Sequence, residues 1–235
     1  MTIAAGWGAS PKFEIVSSAP VALAVAPSLA LRTRVTVEPG TLVHAIVLSA
    51  RIRVDAARRT YTNEEKERLR ELFGTAEQWN TTVRVPLSWA EVSVSVGRFE
   101  GGKTFDLVVP CSYDLALATT KLFDALEDGP IPLTLAFSGT VFAEREHARE
   151  RSLTIVPLGS QCEARCEVPS ATWRELMAAH HPTGALVPVD HAVVERLRRA
   201  APGATLSRAI ERLLDRAEPA TNVRRREPTR ETEAE

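Results

Sequence analysis

From Phe13 to Val168 the chain alternates polar and apolar residues with a period of two. In 31-LRTRVTV-37, Leu31, Thr33, Val35 and Val37 share one face, opposite Arg32 and Arg34. In 44-HAIVLSARIRV-54, the alternation puts His44, Ile46, Leu48, Ala50, Ile52 and Val54 on one face. Such a pattern predicts half-buried strands of an antiparallel sheet. It returns at Val83, Val85, Leu87 and Trp89, at Val92, Val94 and Val96, and at Phe105, Leu107, Val109 and Cys111. The run 131-IPLTLAFSGTVFA-143 is the most strand-like in the chain, and two more strands are expected near 152–157 and 161–168.

Two short helices interrupt this pattern. In 62-TNEEKERLRELFG-74, Thr62 and Glu65 fit a capping box, Leu69, Leu72 and Phe73 make one face, and Gly74 suits the stop. The second covers 117-LATTKLFDALEDG-129, with Leu122, Ala125 and Leu126 inward. After Pro169 the period changes to that of helices. Ser170 is expected to cap one carrying Trp173, Leu176 and Met177, and Asp190 another carrying Val193, Val194 and Leu197. A third spans 205–217, with Ile210, Leu213 and Leu214 inward.

The fold expected from these elements is mainly β (α+β): an antiparallel β-sandwich-like domain with two inserted helices and a helical C-terminal region. A single open sheet covered on one face by the helices is the alternative. The expected organisation is a flexible arm at 1–12, the β domain at 13–168, a helical region packed on it at 169–217, and a disordered tail at 218–235. The tail is polar, charged and proline-containing, and cannot bury a core.

Composition narrows the function classes. With 44% apolar and 25% charged residues in 235, the chain can bury a sizeable core without metal or disulfide staples. The net charge of −1 favours neither nucleic acid nor an anionic membrane. Arginines greatly outnumber lysines but are dispersed, without an aromatic stacking pattern, so nucleic acid is not an expected partner. No apolar run approaches the roughly 20 residues of a bilayer span, so no membrane insertion is expected. Three cysteines and no visible export signal lead us to expect a cytoplasmic protein with reduced thiols.

The segment 97-GRFEGGKT-104 satisfies the phosphate-loop pattern G-x-x-x-x-G-K-[ST]. A working phosphate loop runs from a strand into a helix whose N-terminus faces the phosphates. Here VSVSV precedes and FDLVVPC follows, both strand-like, so the segment reads as a hairpin connection.

Cys162 and Cys166 stand at C-x3-C spacing, with Ala164 and Val168 on the same face of a strand. Four strand residues span roughly 13 Å, too far for one metal ion or a disulfide. Two structural thiols are the expected reading. Cys111, Tyr113 and Asp114 lie where a strand meets a turn. They are the candidate functional or corner residues: a buried thiol, a hydroxyl anchor and a turn carboxylate, or else the rim of a ligand pocket with a cysteine nucleophile. The histidines at 44, 147, 180, 181 and 191 form no H-x-H or H-E-x-x-H motif. No catalytic residue, cofactor or metal ligand is assigned.

The segments 60-TYTNEEKERLRELFG-74, 107-LVVPCSYDLAL-117, 125-ALEDGPIPLTLAFSGTVF-142 and 173-WRELM-177 resemble an uncharacterised family, a domain of unknown function common in high-GC soil bacteria. The likeness runs from about Phe13 to Leu214, and its most specific parts are the PC-S/T-YD and DG-x-IPL…FSGTVF motifs. The family's pattern does not include the cysteines at 162 and 166. The resemblance implies no established activity. It carries an association with [NiFe]-hydrogenase gene clusters, and so implies an accessory or assembly role beside a redox metalloenzyme.

Two functional readings follow. The first is a non-catalytic cytosolic interaction or accessory protein that offers a sheet edge or groove to a partner protein. The second is a small-ligand binder or enzyme with a pocket near Cys111, Tyr113 and Asp114.

Overall fold

A computed structural model describes residues 10–111, 117–145, 153–159, 161–181 and 189–217. Eight strands form among them: β1 (Lys12–Pro20), β2 (Ser28–Thr36), β3 (Thr41–Val54), β4 (Leu87–Glu100), β5 (Gly102–Pro110), β6 (Pro130–Arg145), β7 (Thr154–Pro157) and β8 (Glu163–Pro169). All pairings are antiparallel. One sheet has the order β1-β2-β5, and the other β4-β3-β6-β7. β6 is long enough to hold two partners on one side: β8 along Pro130–Ala136 and β7 along Thr140–Ala143.

The predicted alternation is what buries these sheets. Leu31, Thr33 and Val35 are fully buried while Arg32 and Arg34 are exposed. Leu31, Val35 and Leu107 of the first sheet and Ile46, Leu48, Leu133 and Leu135 of the second belong to one hydrophobic core. Phe13 of β1 stacks on Phe137 of β6 at 4.3 Å between ring centroids. The fold is therefore mainly β, with two antiparallel sheets sharing a core.

Two of the strand expectations change. First, the connection at Gly101 is not a hairpin. β4 pairs with β3 in one sheet and β5 with β2 in the other, so the chain crosses between sheets at this single residue. Gly101 has φ +68 and open space around it, which allows the corner. Its carbonyl accepts the Val37 N–H at 2.9 Å, tying this crossing to the one between β2 and β3. Second, β3 carries a bulge against β6 between Val43 and Ala45. It shifts the alternation, so that Val43 is fully buried in the core where His44 was expected.

The β3–β4 connection holds a 3-10 turn at Ala56–Arg58 and three short helices, α1 (Asn63–Arg68), α2 (Arg70–Phe73) and α3 (Ala76–Thr82). The capping box at Thr62 and Glu65 forms as read, and Gly74 ends α2 at φ +81. Helix α3 occupies residues beside those expected as strand: Val83 is its C-cap, and Val85 is exposed before β4 starts. Its start signal was present, since Gln78 Oε1 accepts the Thr75 N–H at 3.1 Å.

Helix α4 (Leu117–Ala125) follows β5, and α5 (Ser170–His180) follows β8. The Trp89, Phe123 and Trp173 rings meet edge to face at 5.2 and 4.9 Å, joining β4, α4 and α5. Ser170 does not cap α5. It is the first helical residue, with Pro169 at the cap position, and its buried hydroxyl has no hydrogen-bond partner among the described residues.

Contacts divide the chain into Met1–Gly184, which includes α5, and Ala185–Glu235. The second unit contains α6 (His191–Ala200) and α7 (Leu206–Ala217). The expected arm and tail fall largely on residues 1–9 and 218–235, outside the described residues.

Gly139 marks the break in β6 between its two partners. It has φ +145, and a Cβ there would stand 2.0 Å from the Val47 carbonyl oxygen. Gly139→Ala is expected to lower unfolding free energy by about 3–5 kcal/mol, combining backbone strain with a backbone clash. Gly101→Ala meets no neighbour and is expected to cost only about 1–2 kcal/mol. Urea denaturation of the two variants checks the ranking.

Candidate functional site

The glycine-lysine segment lies on strands on both sides of the corner. No helix follows Thr104, so no helix N-terminus is aimed at a phosphate. Lys103 Nζ instead donates to the carbonyls of Gly97 and Arg98, at 3.1 and 3.3 Å. Its ammonium is committed to holding the two strand ends together.

Cys111 follows β5 and is 1% exposed. Its N–H donates to Pro27 O at 2.8 Å, and its thiol lies 3.3 Å from Val109 O. Burial pushes the thiol up to about 12. A nucleophilic cysteine needs the thiolate, which this environment disfavours. Tyr113 and Asp114 lie outside the described residues, so of that trio the structure places Cys111 alone.

On β8 the alternation read from the sequence holds. Ala164 and Val168 are buried, and Glu163, Arg165 and Glu167 are exposed. Cys162 precedes the strand, and Cys166 is half-buried on it. Both are free thiols. Burial raises both, Cys166 to about 11.

His44 Nε2 lies 3.1 Å from Glu144 Oε2. His180 spans two carbonyls, with Nδ1 3.0 Å from Leu176 O and Nε2 3.3 Å from Ala24 O. Among the described residues no three His, Cys, Asp or Glu side chains group as a metal-ligand set.

Among the described residues, a closely buried ion pair lies elsewhere, at Arg59 and Glu65. Their side chains are 7% and 2% exposed, with Arg59 Nη2 2.9 Å from Glu65 Oε1. Glu65 Oε1 also accepts the Glu127 N–H at 3.0 Å, and Oε2 accepts the Thr62 N–H at 2.9 Å. Arg59 donates further to the carbonyls of Thr60, Asp128 and Pro130. Its guanidinium lies 4.9 Å from the Tyr61 ring centroid, a cation–π arrangement. The Tyr61 hydroxyl donates to Ala56 O at 2.8 Å, and burial pushes this phenol above its ordinary range.

An open cleft of about 660 Å³ lies over this pair, lined also by Arg58, Glu127 and Asp128. Its floor offers little to a ligand, because the buried charges are already bonded within the chain. Sequence reading found Glu65 as a capping residue and missed Arg59, whose partners lie near 60 and near 130.

Exposed apolar side chains form the other notable surfaces. The β1–β2 loop presents Leu23 and Val25 fully to solvent, Leu23 in the left-handed region at φ 57. In the second unit Leu206, Ile210, Leu213 and Leu214 are 39–57% exposed, where the last three were expected to face inward. The buried hydrophobics described in that unit are Ala201 and Ala209. With Val194 and Leu197 of α6 only half-buried, the two short helices do not cover the leucines of α7.

Two predictions concern the buried groups. Glu65→Ala and Arg59→Met are each expected to cost about 3–5 kcal/mol, since each leaves a buried charge unpaired. A double-mutant cycle by urea denaturation should show the pair together costing less than the sum. Cys111 predicts a pH dependence. Below its ordinary value of 9.0 the folded and unfolded states both keep the proton; above it, up to about 12, only the folded state does. Stability therefore falls as pH rises through that window, and Cys166 and Tyr61 act in the same direction. Urea midpoints between about pH 8 and about pH 10.5 should drop less in Cys111→Ala than in the wild type.

A search among curated proteins returned no match. A family model described as "Family of unknown function (DUF6084)" matches residues 9–222, nearly the whole chain. The interlocked sheets and the saturated Arg59–Glu65 node described above thus belong to a member of the DUF6084 family.

Proposed function

We propose that this chain is a non-catalytic interaction or accessory protein. The observation that carries the reading is the apolar side of α7, with Leu206, Ile210, Leu213 and Leu214 exposed. Contiguous apolar surface of this kind marks docking sites, because leaving it wet forfeits about 25 cal/mol per Å² of burial. The arginines and acids of α7 lie opposite, so the helix has one sticky side and one solvated side. A helix of this type lays its apolar stripe into a partner's groove at i, i+4, i+7 spacing, as at Leu206, Ile210 and Leu213.

The finer version makes the partner a redox metalloenzyme, such as a [NiFe]-hydrogenase, and this chain its assembly factor. It rests on the family resemblance rather than on a residue. The saturated charges around Arg59 and the protonated, buried Cys111 support a non-catalytic role over the pocket reading.

Affinity capture of the tagged chain from its own cells, at native level, tests the proposal. A partner of fixed stoichiometry is expected with the wild type and is expected to be lost with Ile210→Glu/Leu213→Glu. Hydrogenase subunits in that fraction would support the finer version. Bait alone in the wild-type fraction would sink both.

A further inference from the structure

The loop between β1 and β2, Val21–Pro27, carries only apolar side chains. Its base is tied to the sheet. The Val21 N–H donates to Ser28 O, Ser28 Oγ to Ala26 O, and the Cys111 N–H to Pro27 O. The tip, Ala22–Val25, is held differently. Among the described residues, its one hydrogen bond is the contact of Ala24 O with His180 Nε2 at 3.3 Å. Yet the tip holds a strained residue, Leu23, at φ 57 and fully exposed. A leucine stays in the left-handed region only where its surroundings fix it. A side chain wholly in solvent brings no packing to do so, which leaves the bond at Ala24, the next residue.

His180 is the last residue of α5 and is half-buried. Its other nitrogen, Nδ1, lies 3.0 Å from Leu176 O. Both ring nitrogens thus face carbonyl oxygens, which can only accept. A neutral imidazole has one N–H and a lone pair on the other nitrogen, whereas the imidazolium donates from both. The C-terminal end of a helix also favours a cation. We propose that His180 is a proton-operated latch: the imidazolium holds the β1–β2 tip through Ala24 O, and loss of its proton releases the tip. In the neutral ring one lone pair must face an oxygen. Leu176 O is fixed within its helix, so the side that gives way is the loop. Release lets Leu23 leave the left-handed region and changes how Leu23 and Val25 are presented to solvent.

The titratable groups around the ring leave this role to His180. The chain has no charged residue from Ile15 to Leu31, so the loop and the adjoining end of β1 bring none. Lys12 and Glu14 stand at the other end of β1. On α4, Asp124 accepts from Trp173 Nε1 and Lys121 is paired with Glu71. On β8, Glu163, Arg165 and Glu167 are exposed on the outer face. Within α5, Arg174 donates to Glu127 O, and Glu175 stands about 140° around the helix from His180. Cys111, at the loop base, keeps its thiol proton up to about 12 and does not titrate near neutrality. His181 is the neighbour that titrates in the same range, and the test below separates the two. The latch is independent of the partner proposed for α7.

Nitrogen-15 relaxation of the full chain at about pH 5 and about pH 8, between which imidazoles change charge, tests this. The order parameters of the Leu23 and Val25 amides are expected at about 0.85 at the lower pH and below about 0.6 at the higher. Between these limits the loop amide shifts are expected to share one midpoint with the His180 ring protons. His180→Gln keeps a donor but cannot titrate, and is expected to abolish the pH dependence. His181→Gln is expected to retain it. Thermal melts at both pH values confirm that the wild type and the variants fold. Equal order at both pH values in the wild type overturns the proposal. So does a transition that His180→Gln leaves in place, or one that His181→Gln removes, which would assign the proton to the neighbouring ring.

Discussion

A carboxylate held away from water must be met on every side, and Glu65 shows what that demands of the chain around it. One oxygen takes the Thr62 N–H, and the other takes the Glu127 N–H and the Arg59 guanidinium. Those three partners come from the entry to α1, the loop after α4, and the segment after β3. The guanidinium in turn holds the carbonyls of Asp128 and Pro130, just where β6 begins. β6 is the central strand of the second sheet, shared by β3, β7 and β8. The helical insert is therefore bolted to the start of that strand through one ion pair. Such a pair adds little net stability over an apolar replacement, but losing either half is costly. Its effect is to fix geometry, and that is also why its cleft is a poor ligand site.

The same economy governs the crossing between sheets. β2 passes to β3 and β4 passes to β5, each moving from one sheet to the other. The two crossings meet in the Val37–Gly101 hydrogen bond. The phosphate-loop letters of 97–104 include residues with a structural use. Gly101, inside that match, turns the chain, and Lys103 covers carbonyls that the corner leaves unpaired. The motif is thus an instance of geometry and chemistry asking for the same residue types: glycines for a tight turn and a lysine for clustered oxygens.

Most strands were legible because side-chain period is a local property. Burial along Leu31–Val35 and Phe105–Cys111 follows the letters residue by residue. What was not legible depends on residues distant in sequence. Nothing in 97–104 says that β4 and β5 choose different sheets, since that choice lies with β2 and β3. The bulge at His44 likewise arises from pairing with β6, a hundred residues away. Helix α3 was a different kind of miss: its Thr75–Gln78 signal was local, but the valines after it suggested a strand. Among candidate site residues, the alternation through Leu107 and Val109 puts Cys111 on the face where it is buried, whereas Arg59 has no sequence signature. The period also told that α7 has an apolar stripe, but a period cannot say what covers the stripe.

That last distinction bears on function. Amphipathicity specifies that a face is to be dry, not whether the surface that dries it belongs to the same unit. In the first unit the aromatic chain from Trp89 through Phe123 to Trp173 shows a helix face satisfied internally. In the second unit α7 buries Ala209 and leaves Leu206, Ile210, Leu213 and Leu214 exposed. Among the described residues, the leucines of α7 are one place where apolar surface is left uncovered by the unit that carries it.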